Sequence, residues 1–559
     1  VAADATKETD THPQSFSILL LNRLDVFVEH KLIKPGAIEE REYQKRLSDI
    51  SSKQSTLVVL PTGMGKTVVA LRVVAQVLQK GGKVLFLAPT KPLVEQHASY
   101  LKEFLVGKKI GVMTGENPPE EREVIWIESD VIASTPQVVA NDLRYERVDL
   151  RDVKLIIFDE AHRAVGNYAY VDVAKAYRDY NGLVLGMTAS PGCNRARIKE
   201  VCANLGIDHI ELRDETDSDV AKYVHDIQID AIEVEVTSDM KKVIFVLRSL
   251  FDKYVGELVQ LRALDPKRPA NRKYLLEVGR ALQQRSRSGE KHRNLFRAMS
   301  LQAMAVKVDH ALELAETQGA TALREYLDRL RAEAESDEGS KASREIVKAA
   351  EYVKAFELVH QMRGEHPKLS RIMTIVARQI QERPEARIIV FTHYRDTCDL
   401  MASKLAEIEG AKVAKLVGQA DRGAGKGLKQ KEQIGVLDQF RDGTNNVLVA
   451  TSVGEEGLDV ANTDLVIFYE PVPSEIRSIQ RRGRTGRKRS GRVVVLVTRG
   501  TRDEAYLYAS INKEKAMRKG LSKLQHNMEI EAALEKAEKE GATDQESAKK
   551  RTQSHLQDF

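Results

Sequence analysis

Twice along this chain, short runs of β-branched and apolar residues alternate with longer stretches of helical period, and this rhythm is the strongest constraint on its fold. The first block holds LVVL (57–60), KVLFLAP (83–89), DVIAST (130–135), KLIIFDEAH (154–162) and GLVLGMTAS (182–190). The second holds RIIVFTHY (387–394), AKVAKLVG (411–418), NVLVATSV (446–453), TDLVIFYEP (463–471) and GRVVVLVT (491–498). Strands that read as continuous apolar runs are buried on both faces, which calls for parallel sheets with helical crossovers. The fold class expected is α/β, with two parallel-sheet lobes and an all-helical insertion between them.

The insertion is legible because residues 236–360 carry long helical patterns and no strand-like run, broken by the polar stretch AEAESDEGSKAS (332–343), which reads as an exposed loop. From about 516 the chain is charged and weakly patterned and reads as a frayed or disordered tail. The expected division is a first lobe with an N-terminal extension (1–225), the insertion (226–364), a second lobe (365–515) and the tail (516–559). A chain of 559 residues supports several cores, and 42% hydrophobic with 30% charged residues excludes a largely disordered protein. Three cysteines, Cys193, Cys202 and Cys398, form no CxxC pair, so neither a disulfide framework nor a four-cysteine metal site is expected. With no apolar run of about 18 residues and a polar start, the chain is expected to be intracellular, cytoplasmic or, in a eukaryote, nuclear.

Chemistry enters at LPTGMGKT (60–67), between a predicted strand and a helical pattern. In that setting Thr62, Gly63 and Gly65 shape a phosphate-binding loop, Lys66 reaches the β/γ-phosphates of ATP, and Thr67 offers a hydroxyl to Mg2+. A glycine turn that binds nothing is the weaker reading of Gly-Lys-Thr in this context. Asp159 and Glu160 end a predicted strand downstream, where one carboxylate holds the metal and the other orients and deprotonates water. IQRRGRTGR (479–487) packs four arginines into seven residues. Arg481 and Arg482 read as a basic patch facing solvent or nucleic acid, while Arg484 and Arg487, three apart, share a helical face and suit arginine fingers. GAGKG (423–427) lacks the hydroxyl residue after its lysine and reads as a loop, not a second phosphate site. Trp126 reads as structural, and the histidines, His366 and His393 included, show no metal-ligand spacing.

In this order the blocks resemble superfamily 2 helicases, with two RecA-like lobes closing on ATP. Motif I is LPTGMGKT, Ia APTKPLVEQH (88–97), Ib STPQ (134–137), II DEAH (159–162), III TAS (188–190), V ATSVGEEGLDV (450–460) and VI QRRGRTGR (480–487). The resemblance implies that Gln44, with Arg41 nearby, reads adenine, that Asp459 touches the ribose, and that Gln480 joins the arginines at the phosphates. It implies that Thr90, Thr135, Thr392 and Thr451 hold a nucleic-acid backbone, and that His162, Thr188 and Ser190 couple the two sites. More narrowly, IKPGAIEEREYQ (33–44), FTHYRDT (391–397), GQADRGAGKGLKQKEQ (418–433) and the helical insertion are similar to the archaeal Hef and eukaryotic FANCM helicases, which act on stalled forks and branched DNA. RIG-I-like and Dicer helicases share an insertion, but Ala161 and His162 favour the DNA-processing branch. No ERK-containing nuclease motif occurs, so cleavage is not expected.

Residues 241–300 hold fifteen Lys or Arg against five acids, a net of +10 where the whole chain carries +5. A phosphate-gripping arm that includes Arg285, Arg287, Lys291 and Arg293 is favoured over a solvated face. Gln553, Leu556 and Phe559 recur every third residue, a spacing that suits one 3₁₀ turn bound to a sliding clamp, although a motif of that kind carries two adjacent aromatics where this sequence shows one, and a tail with no such role is the alternative. The expected activity is an ATP-driven DNA translocase, and the helicase resemblance implies 3′ to 5′ polarity. The rivals are a duplex-RNA-stimulated ATPase of the RIG-I or Dicer type and a non-enzymatic fork scaffold.

Overall fold

The computed structural model describes residues 26–192, 194–214, 217–223, 227–418, 428–451, 463–482, 491–523 and 525–526. In the first lobe, β1 (Thr56–Val59), β2 (Lys83–Leu87), β3 (Ile110–Met113), β4 (Val131–Ser134), β5 (Val153–Asp159), β6 (Leu183–Thr188) and β7 (His209–Leu212) form one sheet in the order β3-β4-β2-β5-β6-β1-β7. In the second, β8 (Ile227–Val234), β9 (Ile388–Phe391), β10 (Val413–Leu416), β11 (Val447–Ala450), β12 (Leu465–Phe468) and β13 (Gly491–Thr498) run in the order β10-β11-β9-β12-β13-β8. Every pairing in both sheets is parallel. All ten strands expected from the apolar runs are present.

Three strands were not expected. β8 is one of them, and it pairs along its whole length with β13. The boundary drawn at 226 therefore falls just before a strand of the second sheet, and the helical insertion begins only at Ser238.

The insertion builds its own core from the helices Ser238–Gln260, Arg272–Arg287, Arg293–Thr317, Ala320–Glu335, Lys341–Ile346 and Ala350–Gln361, with Leu250, Leu301, Leu312 and Leu323 fully buried. The polar stretch expected as a loop shortens to 336–340 between two of these helices. Charge ties the insertion to the second lobe. Arg502 grips Asp309 of the insertion at 2.6 Å and Glu316 at 3.1 Å, and Lys368, fully buried in a 2.5 Å ion pair with Asp503 of its own lobe, donates to the Thr317 carbonyl of the insertion at 3.2 Å. Breaking one partner of such a pair costs about 3–5 kcal/mol, because the other charge is left without water or a counter-ion.

Residues 502–523 are helical, so the tail boundary at 516 cuts an ordered element. Met517 and Leu521, four apart and on one face, are buried in the first lobe beside Ile198, Val201 and Leu205. Burial of these two side chains orders a segment whose charged surface reads as disordered. Arg518 reaches Asp214 at 3.5 Å, and Arg482 reaches Glu514 at 2.5 Å. Among the described residues, no helix is long and apolar enough to cross a membrane.

His366 caps the helix Pro367–Glu382 at the seam with the insertion. Its Nδ1 accepts from the Lys368 amide at 3.2 Å and its Nε2 donates to the Glu316 carbonyl at 3.4 Å. Burial, and then the Lys368 charge, push its pKa down to about 3. Between that value and the ordinary one near roughly 6.5, the unfolded chain binds a proton that the folded chain refuses, so stability falls as pH drops through this window. The expected outcome is a melting temperature that declines from pH 7 to 5 in the parent and declines less in His366→Asn, which keeps the cap. Thermal melts that run parallel in the two proteins would exclude this role.

Candidate active site

In a parallel sheet all strands end at one edge, and the segments following β1, β2, β4, β5 and β6 meet there. These segments are the phosphate loop, Thr90, Thr135, the Asp159 to His162 run and the Thr188 to Ser190 run. Gly63 and Gly65 adopt left-handed φ of 87° and 78°, which side chains disfavour. A Cβ on Gly65 would also lie 2.3 Å from Gln44 Nε2. The helix Lys66–Gln79 follows with no side-chain cap and no acid in its first turn, so its free N–H groups and its dipole are left for an anion.

Lys66 Nζ donates to the Leu60 carbonyl at 3.0 Å, folded back over the loop. Tyr43 and Gln44 pin the loop from the helix Glu42–Ser51 by donating to the Met64 carbonyl at 2.8 and 3.1 Å. Gln44 is buried and also donates to the Tyr43 hydroxyl at 3.3 Å, so its amide N–H groups serve the loop. Arg41 lies over the Tyr223 ring at 4.9 Å, beside the same helix. Thr62 and Thr67 are half-buried in the loop and at the start of the helix that follows it.

Asp159 ends β5 almost buried, and Oδ2 accepts from His97 Nε2 at 2.9 Å. Burial opposes its ionisation, but His97, Lys66 and the Glu160 amide together hold its carboxyl below the usual range. An ionised carboxylate and the Thr67 hydroxyl are hard oxygen donors, and this set fits Mg2+. Glu160 takes a left-handed φ of 50°, a strained conformation for a residue with a side chain, and its buried Oε2 has no hydrogen-bond partner. His162 Nδ1 lies 3.3 Å from that oxygen and 3.1 Å from the Thr188 hydroxyl, which accepts from the Ser190 amide at 3.1 Å. Ser190 Oγ in turn donates to Met517 Sδ at 2.9 Å, so motif III touches the helix returning from the second lobe.

Thr90 and Thr135 are the residues before the helices Lys91–Phe104 and Pro136–Arg144, and neither side chain caps its helix. Thr90 Oγ1 is buried without a partner. Both sites thus keep hydrogen-bonding capacity toward a phosphate backbone.

The second lobe departs from expectation. Thr392 is fully buried, and its hydroxyl donates to Glu470 Oε2 at 3.3 Å, a partner inside the protein; Thr451 is also buried. Arg481 is fully buried with its guanidinium 5.0 Å from the Phe391 ring and 5.5 Å from the Phe468 ring, and Arg482 is paired with Glu514. Neither arginine forms a solvent-facing basic patch. The reason is Glu470, buried at the end of β12 and drawing a counter-charge inward. Burial raises its pKa while Arg481 and then Lys368 oppose the rise. Gln318 of the insertion donates to the same carboxylate at 3.4 Å. Gln480 lies on the helix Glu475–Arg482, but its side chain, Asp459, Arg484, Arg487 and the GAGKG loop lie outside the described residues, as do Gln553, Leu556 and Phe559.

On the insertion, Arg285 is tied to Glu290 at 2.8 Å, so it is not a free cation. Arg287, Lys291 and Arg293 are exposed and outside the ion pairs of the described residues, and so are Lys273 and Arg280. Lys273, Arg280 and Arg287 stand seven apart, which lines them along one face of the helix Arg272–Arg287.

His97 and Glu470 are the two site residues that sequence reasoning missed. His97 stands two turns after Thr90 at the end of the APTKPLVEQH block, so its position on the helix was the available signal. No sequence feature pointed to Glu470.

These features define the class as DEAD/DEAH box helicases, whose family profile matches residues 41–198. The helicase conserved C-terminal domain matches 367–489, and the helical bundle of a putative ATP-dependent RNA helicase matches 239–366. The solved Hef helicase domain of Pyrococcus furiosus is 45% identical at a TM-score of 0.64, covering 84% of this chain and 98% of that one. The chain belongs to the family of this Hef helicase domain. A putative ATP-dependent RNA helicase of Methanocaldococcus jannaschii is 37% identical over 89% of this chain and 63% of its own length. The ATP-dependent DNA helicase mph1 of Neurospora crassa is 32% identical over 84% of this chain and 42% of its own. The chain thus spans about half the length of the curated relatives it matches.

Proposed function

We propose that the protein is an ATP-dependent DNA helicase or translocase that acts on forked or branched DNA, in the cytoplasm or, in a eukaryote, the nucleus. The observation that carries the reading is the shared sheet edge, where an uncapped phosphate loop, an ionised Asp159, a strained Glu160 and two uncapped helix starts lie side by side. Phosphate chemistry and a nucleic-acid track are therefore built on one rigid element. Lys66 turns from Leu60 to the β/γ-phosphates, Gln44 Oε1 accepts from the adenine amino group, and Glu160 orients water and takes its proton. Asp159 and Thr67 would hold Mg2+, which neutralises phosphate charge when bound. The helicase resemblance assigns Arg484, Arg487 and Gln480 to the nucleotide's phosphates and Asp459 to its ribose. Thr188 and Ser190, through His162, carry the state of this site to the track and to the helix 502–523.

A duplex-RNA-stimulated ATPase is the second reading, favoured by the archaeal relative's name. Turnover with single-stranded, duplex, forked and four-way DNA, beside RNA counterparts, separates the two. DNA is expected to stimulate, and Glu160→Gln to lose roughly 10²–10⁴-fold, with Lys66→Ala as inactive. Turnover within a few-fold of the parent in either variant, or stimulation by RNA alone, would refute the proposal.

The stripe on the insertion adds phosphate contacts when a second duplex is present. Neutralising Lys273, Arg280, Arg287, Lys291 and Arg293 together weakens forked DNA more than single strands and lowers the log–log salt slope by up to about 0.9 per lost contact. Arg285→Ala, which removes a paired charge, changes little. Equal losses on forks and single strands in a binding titration would make the stripe part of the general track.

The spacing of Gln553, Leu556 and Phe559 supports contact with a sliding clamp. A peptide of residues 549–559 is expected to bind an immobilised clamp and to lose binding when Leu556 and Phe559 become Ala; no binding by the unaltered peptide ends the idea.

A further inference from the structure

The helix Lys91–Phe104 presents two features on one rod. At its start, Thr90 leaves the helix uncapped and its buried hydroxyl without a partner. Seven residues on, about two turns or roughly 10 Å along the axis, His97 Nε2 donates to Asp159 Oδ2 at 2.9 Å. The ring is almost wholly buried and packs on Phe86 of β2 with centroids 4.5 Å apart, and its Nδ1 has no hydrogen-bond partner. An imidazole buried with one nitrogen unused is a costly way to fill space. What it supplies is a single aimed donor to the carboxylate that would hold the metal. Carboxylates that ligate metals need such outer partners to fix which oxygen faces the ion.

We propose that His97 is a positioning residue that links the DNA-facing start of this helix to the orientation of the Asp159 carboxylate. A phosphate docked at the helix start shifts or steadies the whole rod, because a helix of fourteen residues moves as one body. His97 then carries that displacement to Asp159 Oδ2, and the other carboxylate oxygen is presented to the metal. The inference rests on the ATPase reading above and assigns DNA stimulation a specific path from motif Ia to motif II.

Three variants test it. His97→Leu keeps apolar volume without a donor, His97→Gln places an amide N–H at the depth of Nε2, and His97→Asn is polar but too short to reach Asp159. The first readout is binding of a fluorescent ATP analogue titrated with Mg2+, which needs no turnover; the second is the fold-stimulation of ATP turnover by DNA. His97→Leu and His97→Asn are expected to need on the order of 10–100-fold more Mg2+ and to lose most of the stimulation, while His97→Gln keeps both. Thermal melts select the variants that are folded, and either of the two donorless variants suffices.

A folded donorless variant with the parent's Mg2+ requirement overturns the proposal. So does a folded His97→Gln that fails as badly as His97→Leu, since the ring's shape would then matter and not its donor. A raised Mg2+ requirement with the parent's full stimulation by DNA overturns the link to the helix start. If the parent itself turns over no ATP, the proposed function fails while the Mg2+ titration still reports on His97.

Discussion

Parallel strand direction is the constraint from which the rest follows. It sends every crossover helix back to the same edge, so the starts of the helices Lys66–Gln79, Lys91–Phe104 and Pro136–Arg144 collect beside the ends of β5 and β6. Helix starts carry orphan N–H groups, and a capping side chain can satisfy one of them. The insertion does so at Thr237, Asn271, His292 and Ser340, each of which accepts from a backbone amide in the first turn. The three helices at the edge do not, and neither do several away from it, Ala169–Tyr177, Ala320–Glu335 and Ala350–Gln361 among them. What sets the edge apart is that three such starts lie together beside Glu160, whose left-handed conformation adds strain to the carboxylate run.

What the sequence made legible follows from burial. Strands in the middle of a parallel sheet are apolar throughout, so β1, β2, β4, β5 and β6 of the first lobe and β9, β11, β12 and β13 of the second stand out, and β10 is the one edge strand whose run was also legible. The three strands that escaped notice, β3, β7 and β8, are all edge strands. One side of each meets solvent, and IGVM, HIEL and IQIDAIEV accordingly admit glycine, histidine and acids. Loop chemistry was legible for a related reason, since a phosphate loop needs particular residues at particular spacings. Pairings between distant segments were not. Arg481 reads as surface charge until Glu470, eleven residues earlier and across a strand end, is seen to draw it inside.

Glu470 also shows how the insertion is joined to the motor. Its carboxylate meets Thr392, which follows β9, lies in the field of Arg481 of motif VI, and receives Gln318 from the end of the insertion's longest helix. Gln318 further accepts from Thr397 at 2.8 Å and, through its carbonyl, from Tyr469 at 3.0 Å. With the Arg502 cluster and Lys368–Asp503 beside it, this polar seam ties the insertion to the second lobe through several side chains, while Glu470 Oε1 and Asp503 Oδ1 stay buried without a hydrogen-bond partner. The insertion's basic stripe is carried wherever the second lobe goes.

The helix 502–523 gives the two lobes a geometry that a single linker would not. The chain leaves the first lobe after β7, enters the second sheet at β8, and returns at Met517 and Leu521 to the first lobe's core. Two bodies joined at one point swivel freely, like a ball in a socket. Joined at two separated points, they keep only rotation about the line between those points, like a door on two hinges. Any relative motion of the lobes that keeps both joins is thereby confined to one arc, and the second join rests on Ser190 of motif III.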